Sequence, residues 1–390
     1  RHEERNEEEM TEYTQNRKCI AELGCLNEIG AVAKAFGSSA LVVSYKSMQA
    51  AVEKIQGLLE AAGVRAIAFT DILPEPTIAC MEAGHRAIQE HACEMVVAIG
   101  GGSVIDSAKA IAMLATNPES LEAYQLGEAS IDRQPLPILA IPTTAGTGSE
   151  ATKTCVISNE RLGVKKSINH YSLVPQVALL DGSLLQTLPP RILASTGMDA
   201  LGHAIESFTS RTATPYSRTF SARAIELISH NLETACLTGS LDALQNVMLG
   251  SYFAGCGINC AGIGIAHIVG QPLGAVLHKA HGDLITVLLP LAMQYNRQDC
   301  EALYAQVGRL IDPSLHAKTQ SEAADAAIRF VFDLREKLKL PRTLSELDVK
   351  ELPEREFMLH NIAITTGHIK SNPRPLTDDL LWAYIQEAFI

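Results

Sequence analysis

The stretch "AIGGGSVIDSAKAIA" (residues 98–112) leaves a β-branched run, passes through three consecutive glycines and enters an alanine-rich helical pattern. Gly100, Gly101 and Gly102 let the chain turn tightly and let backbone N–H groups approach an anion, to which the helix N-terminus adds its dipole. The turn departs from the G-x-G-x-x-G fingerprint, because Ile105 takes the place of the last glycine. Taken alone it also suits a plain strand–helix turn. Working outward, "ALVVSY" (40–45), "RAIAFT" (65–70), "MVVAIG" (95–100), "PILAIP" (137–142) and "VALLD" (177–181) read as buried strands. Helix-patterned stretches at 46–62 and 77–92 separate the earlier ones, the β-α-β rhythm of a doubly wound parallel sheet. "TKTCVISN" followed by "GVKKSIN" reads as a hairpin. After "LPP" at 188–190 strand signals cease and helical periods run to the end. The expected organisation is a flexible tail over 1–16, an α/β domain over 17–188 and an all-helical domain over 189–390.

Composition narrows the function classes. Apolar residues are 47% and charged ones 19% of 390, an ordinary globular balance. The net charge is −12, and six glutamates crowd the first twelve residues. The rest is spread thinly, so no basic patch for nucleic acid or a membrane surface is expected. No run is long and apolar enough to span a bilayer, and no secretory pattern opens the sequence. Nine scattered cysteines, with no C-x-x-C pair, point to free thiols in a reducing compartment, and so to the cytoplasm.

Two groups of residues carry chemistry. The turn "IPTTAGTGSEAT" (141–152) ends another strand with hydroxyls at Thr143, Thr144, Thr147 and Ser149. Two such turns at the carboxyl ends of parallel strands suit one diphosphate ligand. The second group begins in "GMDALGHAIES" (197–207), where Asp199 and His203, four apart, share one face of an apolar helix. "GIAHIVGQPLGAVLHKAHGD" (264–283) adds His267, His278 and His281, with Gly270, Pro272 and Gly274 expected to break or bend the helix. One such histidine is usually a satisfied core residue. One carboxylate with three imidazoles in two apolar, glycine-rich segments is instead a nitrogen/oxygen set suited to Fe²⁺ or Zn²⁺.

Together "GGGSVID", "PTTAGTGSE", "GMDALGHAIES", "AHIVGQPLGAVLHKAHG" and "SNPRPL" (371–376) resemble the iron-containing (group III) alcohol dehydrogenases, over nearly all of the chain after residue 17. The resemblance implies a Rossmann-like domain and an all-α domain in the dehydroquinate synthase-like arrangement, with the metal in the cleft between them. It implies metal ligation by Asp199, His203, His267 and His281. It implies cofactor binding by Gly101, Gly102, Ser103, Asp106, Thr143, Thr144, Thr147 and Ser149, with Lys165 reaching the ribose region and Tyr45 at the nucleotide end. Thr152, Thr154, Ile258, His368 and Lys370 would border the substrate. The implied activity is hydride transfer between NAD(H) and a short aldehyde or alcohol, in a homo-oligomer, a dimer or larger. A polyol or polyol-phosphate dehydrogenase of the same fold, a dehydroquinate-synthase-like lyase and a non-catalytic metal- or nucleotide-binding protein are the competing readings.

Three departures from the family pattern bear on mechanism. Gln271 stands where many relatives have a proton-relay histidine, and an amide is no base at neutral pH. His278 is the expected substitute. "VVSYKS" places Tyr45 and Lys46 where NAD-preferring relatives often carry an aspartate, which leaves NADP(H) open. "GHIKSNPR" brings His368 and Lys370 to a segment where relatives often have a cysteine. With Lys153, His278 and Lys279, these cations predict a substrate with a carboxylate, sulfonate or phosphonate tail, against the plainer reading of a solvated loop.

Overall fold

The β-branched runs pair as parallel strands, because runs apolar on both faces must be covered on both. The computed structural model describes residues 12–366 and 370–390. Strands β1 (Lys18–Ala21), β2 (Ser39–Val43), β3 (Arg65–Phe69), β4 (Met95–Gly100), β5 (Ile138–Pro142) and β8 (Val177–Leu180) form one sheet, in the order β1-β8-β5-β4-β2-β3. Every pairing in it is parallel. Strands β6 (Thr154–Asn159) and β7 (Val164–Asn169) form the expected antiparallel hairpin. The sequence reading passed over β1, a four-residue, mostly exposed edge strand too short to show a period.

Helices α1 (Ile29–Lys34) and α2 (Gln49–Ala61) supply Ile29, Val52, Ile55 and Leu59 to one apolar layer of the sheet. Helices α3 (Ile78–His91) and α4 (Gly102–Leu114) supply Met81, Ile88, Ile105 and Ile111 to the other, and a short α5 (Leu121–Leu126) follows. The strand order reverses between β2 and β4, so the crevice where open α/β sheets bind ligands lies between Tyr45 and the glycine turn.

The remaining helices are α6 (Pro190–Thr209), α7 (Pro215–Thr238), α8 (Leu241–Ala261), α9 (Ile265–Leu277), α10 (His281–Asn296), α11 (Glu301–Ile311), α12 (Gln320–Lys337), α13 (Arg355–Thr365) and α14 (Asp378–Phe389). Their core includes Ala145, Ala151, Ala178 and Leu180, so the apolar interior runs unbroken from the helical part into the sheet part. Among the described residues no single helix is long and apolar enough to cross a membrane.

Two expectations need correction. Residues 12–16 are held rather than loose. Tyr13 stacks on Tyr216 at 4.0 Å, and Asn16 donates to the carbonyls of Glu150 (2.8 Å) and Pro175 (2.7 Å) while accepting from Tyr252 at 2.9 Å. The acidic run makes the segment read as solvated, but the aromatic and amide just after it find partners. Residues 1–11 of that expected tail lie outside the described residues. The second correction concerns α9, which continues through Pro272. The break comes at His278, a non-glycine residue in the left-handed region (φ 52°), from which the chain re-enters at His281.

Candidate active site

The spacing 199, 203, 206 places Asp199, His203 and Glu206 along one buried face of α6. Helix α9 brings His267 against them, and His281 arrives as the first residue of α10. One ligand atom each from Asp199, His203 and His267 lies within 4.8 Å of the others. His267 Nε2 is 3.2 Å and His281 Nε2 3.3 Å from Asp199 Oδ1. The rings of His203 and His267 stack at 4.0 Å. Three of the four expected ligands are thus fully enclosed, and His281, its side chain 39% exposed, closes the group from the solvent side.

The second nitrogen of two rings is fixed by a neighbour. His203 Nδ1 donates to the carbonyl of Gly146 at 3.2 Å, and His267 Nδ1 to Glu206 Oε2 at 2.6 Å. Each Nε2 is then left for an ion, and outer partners of this kind set both tautomer and ring orientation at metal sites. Burial, and then the nearby His267, push His203 down to about 3, which keeps it the neutral imidazole a metal needs. Burial alone would raise Asp199, but His203, His281 and His267 hold its carboxyl well below the usual range. Burial opposes protonation of His267, yet the Glu206 carboxylate and Asp199 raise it to about 9. A divalent ion bound by these groups would take the place of that proton. The donor set, its enclosure and its oriented rings fit a divalent metal.

Sequence reasoning missed Glu206, although it stands three residues after His203 in the same quoted motif. It also accepts from the N–H groups of Gly264 and Ala266, both at 2.8 Å, at the start of α9. A side chain at Gly264 would put its Cβ 2.8 Å from Glu206 Oε1, so only glycine leaves room for this carboxylate. Asn372 of the C-terminal motif accepts from the intervening Ile265 N–H at 3.1 Å and pairs in both directions with Asn296. Ser371 Oγ donates to the carbonyl of Ile263. The Ser-Asn pair therefore fastens the start of the metal-bearing helix from within the core. Lys370 beside it is exposed, and His368 lies outside the described residues.

A cleft of about 310 Å³ links the metal group to the glycine turn. Gly102, Ser103, Asp106, Thr147 and Ser149 line one end, His203, His267, His281 and Gln271 the other, and Thr152, Thr154, Val156, Lys165, Ile258 and Asn259 also border it. The two turns touch: a Cβ on Gly102 would meet Thr147 Oγ1 at 2.7 Å, and Thr144 lies against Gly101. Thr143 N–H donates to the carbonyl of Gly100 at 3.0 Å, which joins the ends of β5 and β4. No side chain caps α4 at Gly101, so its N-terminus faces the cleft bare. Ser103 Oγ donates to the Pro74 carbonyl at 3.0 Å. Burial raises the phenol of Tyr45, which has Ser103 beside it.

Several expected side chains are engaged elsewhere. Lys165 borders the cleft but is paired with Glu75 at 2.6 Å. Lys153 lies over the Tyr171 ring, 4.4 Å from its centre. His278, expected as the relay, is exposed and faces a separate hollow with Pro272, Phe357 and Asn361. His278 adopts the left-handed conformation and is not among the residues lining the cleft.

Comparison with known proteins gives the family. Residues 16–182 match the family described as iron-containing alcohol dehydrogenase, and residues 193–389 match its C-terminal family. The chain is 37% identical to the probable alcohol dehydrogenase EutG of Salmonella typhimurium, over 91% of this chain and 89% of that one. A crystal structure of 1,3-propanediol oxidoreductase superposes with a TM-score of 0.92 at 30% identity, covering 97% of this chain and all of the other. Sulfoacetaldehyde reductase from Bifidobacterium kashiwanohense, solved in complex with NAD⁺, gives 0.86 at 28% identity, covering 97% and 98%. The chain belongs to the iron-containing alcohol dehydrogenase family, and is with it an iron- and NAD(P)-linked oxidoreductase of the CH–OH group.

Proposed function

We propose that the protein is a cytoplasmic reductase of short, neutral aldehydes, with NADH as the hydride donor and Asp199, His203, His267 and His281 as the metal ligands. The observation that carries this reading is one cleft with a bare helix N-terminus at one end and an Asp/His₃ group at the other. A dinucleotide laid with its diphosphate on Gly101–Ser103 brings its nicotinamide toward the metal ligands. The metal supplies charge stabilisation at the substrate oxygen, and the cofactor supplies the hydride.

The chain's own groups do the rest. Glu206 and Gly146 hold two ligand rings in register. Val156, Ile258 and Ile263 give the cleft an apolar wall that limits water near the reacting carbon. Gln271 lines the cleft, and its amide cannot exchange a proton. The proton for the product alcohol therefore reaches the site through solvent at its open side, next to His281. All nine cysteines are unpaired, which suits a reducing cytoplasm.

An anionic tail has less support in the structure than in the sequence. Of its five expected cations, Lys153 sits on Tyr171, His278 and Lys370 are exposed, and His368 is not among the described residues. Lys279 lines the cleft, as does Lys165, which Glu75 already neutralises. The deciding experiment loads the protein anaerobically with Fe²⁺ and follows NADH oxidation with C2–C4 aldehydes, neutral and anionic at equal length. Turnover that favours neutral aldehydes and is lost on chelation is expected. Turnover of no aldehyde would sink the reading, and a tenfold preference for the anionic partners would restore the charged tail.

A further inference from the structure

Lys109 is fully buried on α4 and is not among the residues lining the cleft. Lysine is almost never wholly buried unless it is paired. Here Nζ donates to Ser149 Oγ (3.0 Å), Thr152 Oγ1 (3.1 Å) and the carbonyl of Thr154 (2.7 Å), with Asp106 Oδ1 at 3.8 Å. All three ammonium hydrogens are used, and each acceptor belongs to a residue that lines the cleft.

An ammonium has no lone pair, so each hydroxyl it touches must accept and send its own hydrogen elsewhere. Ser149 sends its hydrogen to Asp106, whose other oxygen takes the Val156 N–H at 2.9 Å. Among the described residues, Thr152 has only the Ser149 carbonyl, at 3.4 Å. That bond is long, and its hydrogen is readily given up to a better acceptor.

We infer that Lys109 is a positioning residue that, acting through Thr152 and Ser149, presents the Thr152 hydroxyl to the cleft as a hydrogen-bond donor for the nicotinamide half of the cofactor. The inference rests on the cofactor reading above. With the diphosphate on the glycine turn and the nicotinamide reaching toward His203 and His267, the stretch from Thr147 to Val156 underlies the nicotinamide riboside. The acceptor is the carboxamide oxygen of the nicotinamide, which ADP-ribose lacks. The bland alternative is that Lys109 only neutralises Asp106 and ties α4 to β6.

Two ligands separate these roles. NADH carries the nicotinamide half and ADP-ribose lacks the nicotinamide ring and its ribose bond. Dissociation constants of both are measured on the iron-loaded protein, NADH by its fluorescence and ADP-ribose by competition. Lys109→Met should weaken NADH about five- to tenfold, the scale of one lost hydrogen bond, and leave ADP-ribose within about twofold. Thr152→Val should reproduce that pattern and Thr152→Ser should restore binding. Combining Lys109→Met with Thr152→Val should add little, because both remove one donor. Equal weakening of both ligands, or no weakening of either, would show a purely structural lysine and overturn the inference. If Lys109→Met does not fold, the threonine pair decides: an unaltered NADH affinity in Thr152→Val overturns it equally. Wild-type protein that binds neither ligand would instead remove the cofactor reading itself.

Discussion

Glu206 Oε2 lies 2.6 Å from His267 Nδ1, and both side chains are buried. The same carboxylate closes the first turn of α9 by accepting from Gly264 and Ala266. Orientation of a metal ligand and capping of the helix that carries it thus depend on one group. Glu206→Gln should lower Co²⁺ or Fe²⁺ affinity about 10- to 100-fold, the usual cost of losing an outer partner, while the protein stays folded. Metal titration followed by the visible bands of bound Co²⁺ reads this directly. Unchanged affinity would leave Glu206 as a helix cap alone.

Asn372 reaches the same helix from the far end of the chain. Replacing it with alanine strands the Ile265 N–H and unpairs Asn296, both buried. Asn372→Ala should cost about 1–3 kcal/mol in denaturant unfolding of the metal-free protein. Asn372→Asp keeps the acceptor for Ile265 but loses the amide donor to Asn296, and should recover only part of the loss. If both variants unfold like the wild type, the C-terminal motif does not fasten α9.

The legible parts of this chain were those where a local pattern coincides with its tertiary use. The apolar β-runs at 40, 65, 95, 137 and 177 are strands because nothing else buries such runs between helices, and Asp199 with His203 share a face because four residues are about one turn. Glu206 was not legible, since a glutamate near a helix end is ordinarily solvated, and only the α6–α9 crossing turns it inward. The role of Asn372 was not legible for a similar reason: it acts 107 residues away in sequence, on Ile265. The placement of His278 was not legible either: it follows α9 in the left-handed region and lines a neighbouring hollow rather than the cleft, which no residue pattern around it signals.

Glu150 offers a pH test away from the metal. Burial pushes its carboxyl from the ordinary 4.5 up to about 7, against its own backbone N–H and Lys109, which pull it down. Between pH 4.5 and 7 the folded chain therefore holds a proton that the unfolded chain releases. This stabilisation is full below 4.5 and is lost as pH rises through 7. It is on the order of 3 kcal/mol across the window. Melting temperature should fall from pH 5 to 8 more steeply in the wild type than in Glu150→Gln, whose amide does not titrate. Parallel curves would count against the assignment.

Tyr45 stands at the end of β2, on one side of the point where the strand order reverses. No carboxylate occupies that position to repel a 2′-phosphate, and Lys46 follows. Tyr45→Asp should lower kcat/KM for NADPH about tenfold and leave NADH within about twofold, since one like charge at close range in a partly screened site contributes roughly 1–2 kcal/mol. If the NADPH/NADH ratio does not move, discrimination lies elsewhere in the cleft.

Gln271 lines the cleft one helical turn after His267, at the metal end. Its amide neither gives nor takes a proton at any working pH, and the exposed His278 faces another hollow. With solvent as the proton source, wild-type kcat for aldehyde reduction should show no limb belonging to this position. Gln271→His places an imidazole, ordinarily near 6.5, in the same place on the helix. A protonated imidazole there can pass a proton to the developing product oxygen, so reduction should gain a limb that falls as pH rises through about 6.5. A positioned general acid contributes about 10²–10⁴-fold, which bounds the gain at low pH. The comparison needs full kcat–pH curves for both proteins at equal iron content, with alcohol oxidation run alongside. In that direction an imidazole that takes up the proton should act as base, so the new limb should rise with pH. A Gln271→His profile identical to the wild type in both directions would mean that position 271 does not reach the proton that moves, and that solvent alone carries it.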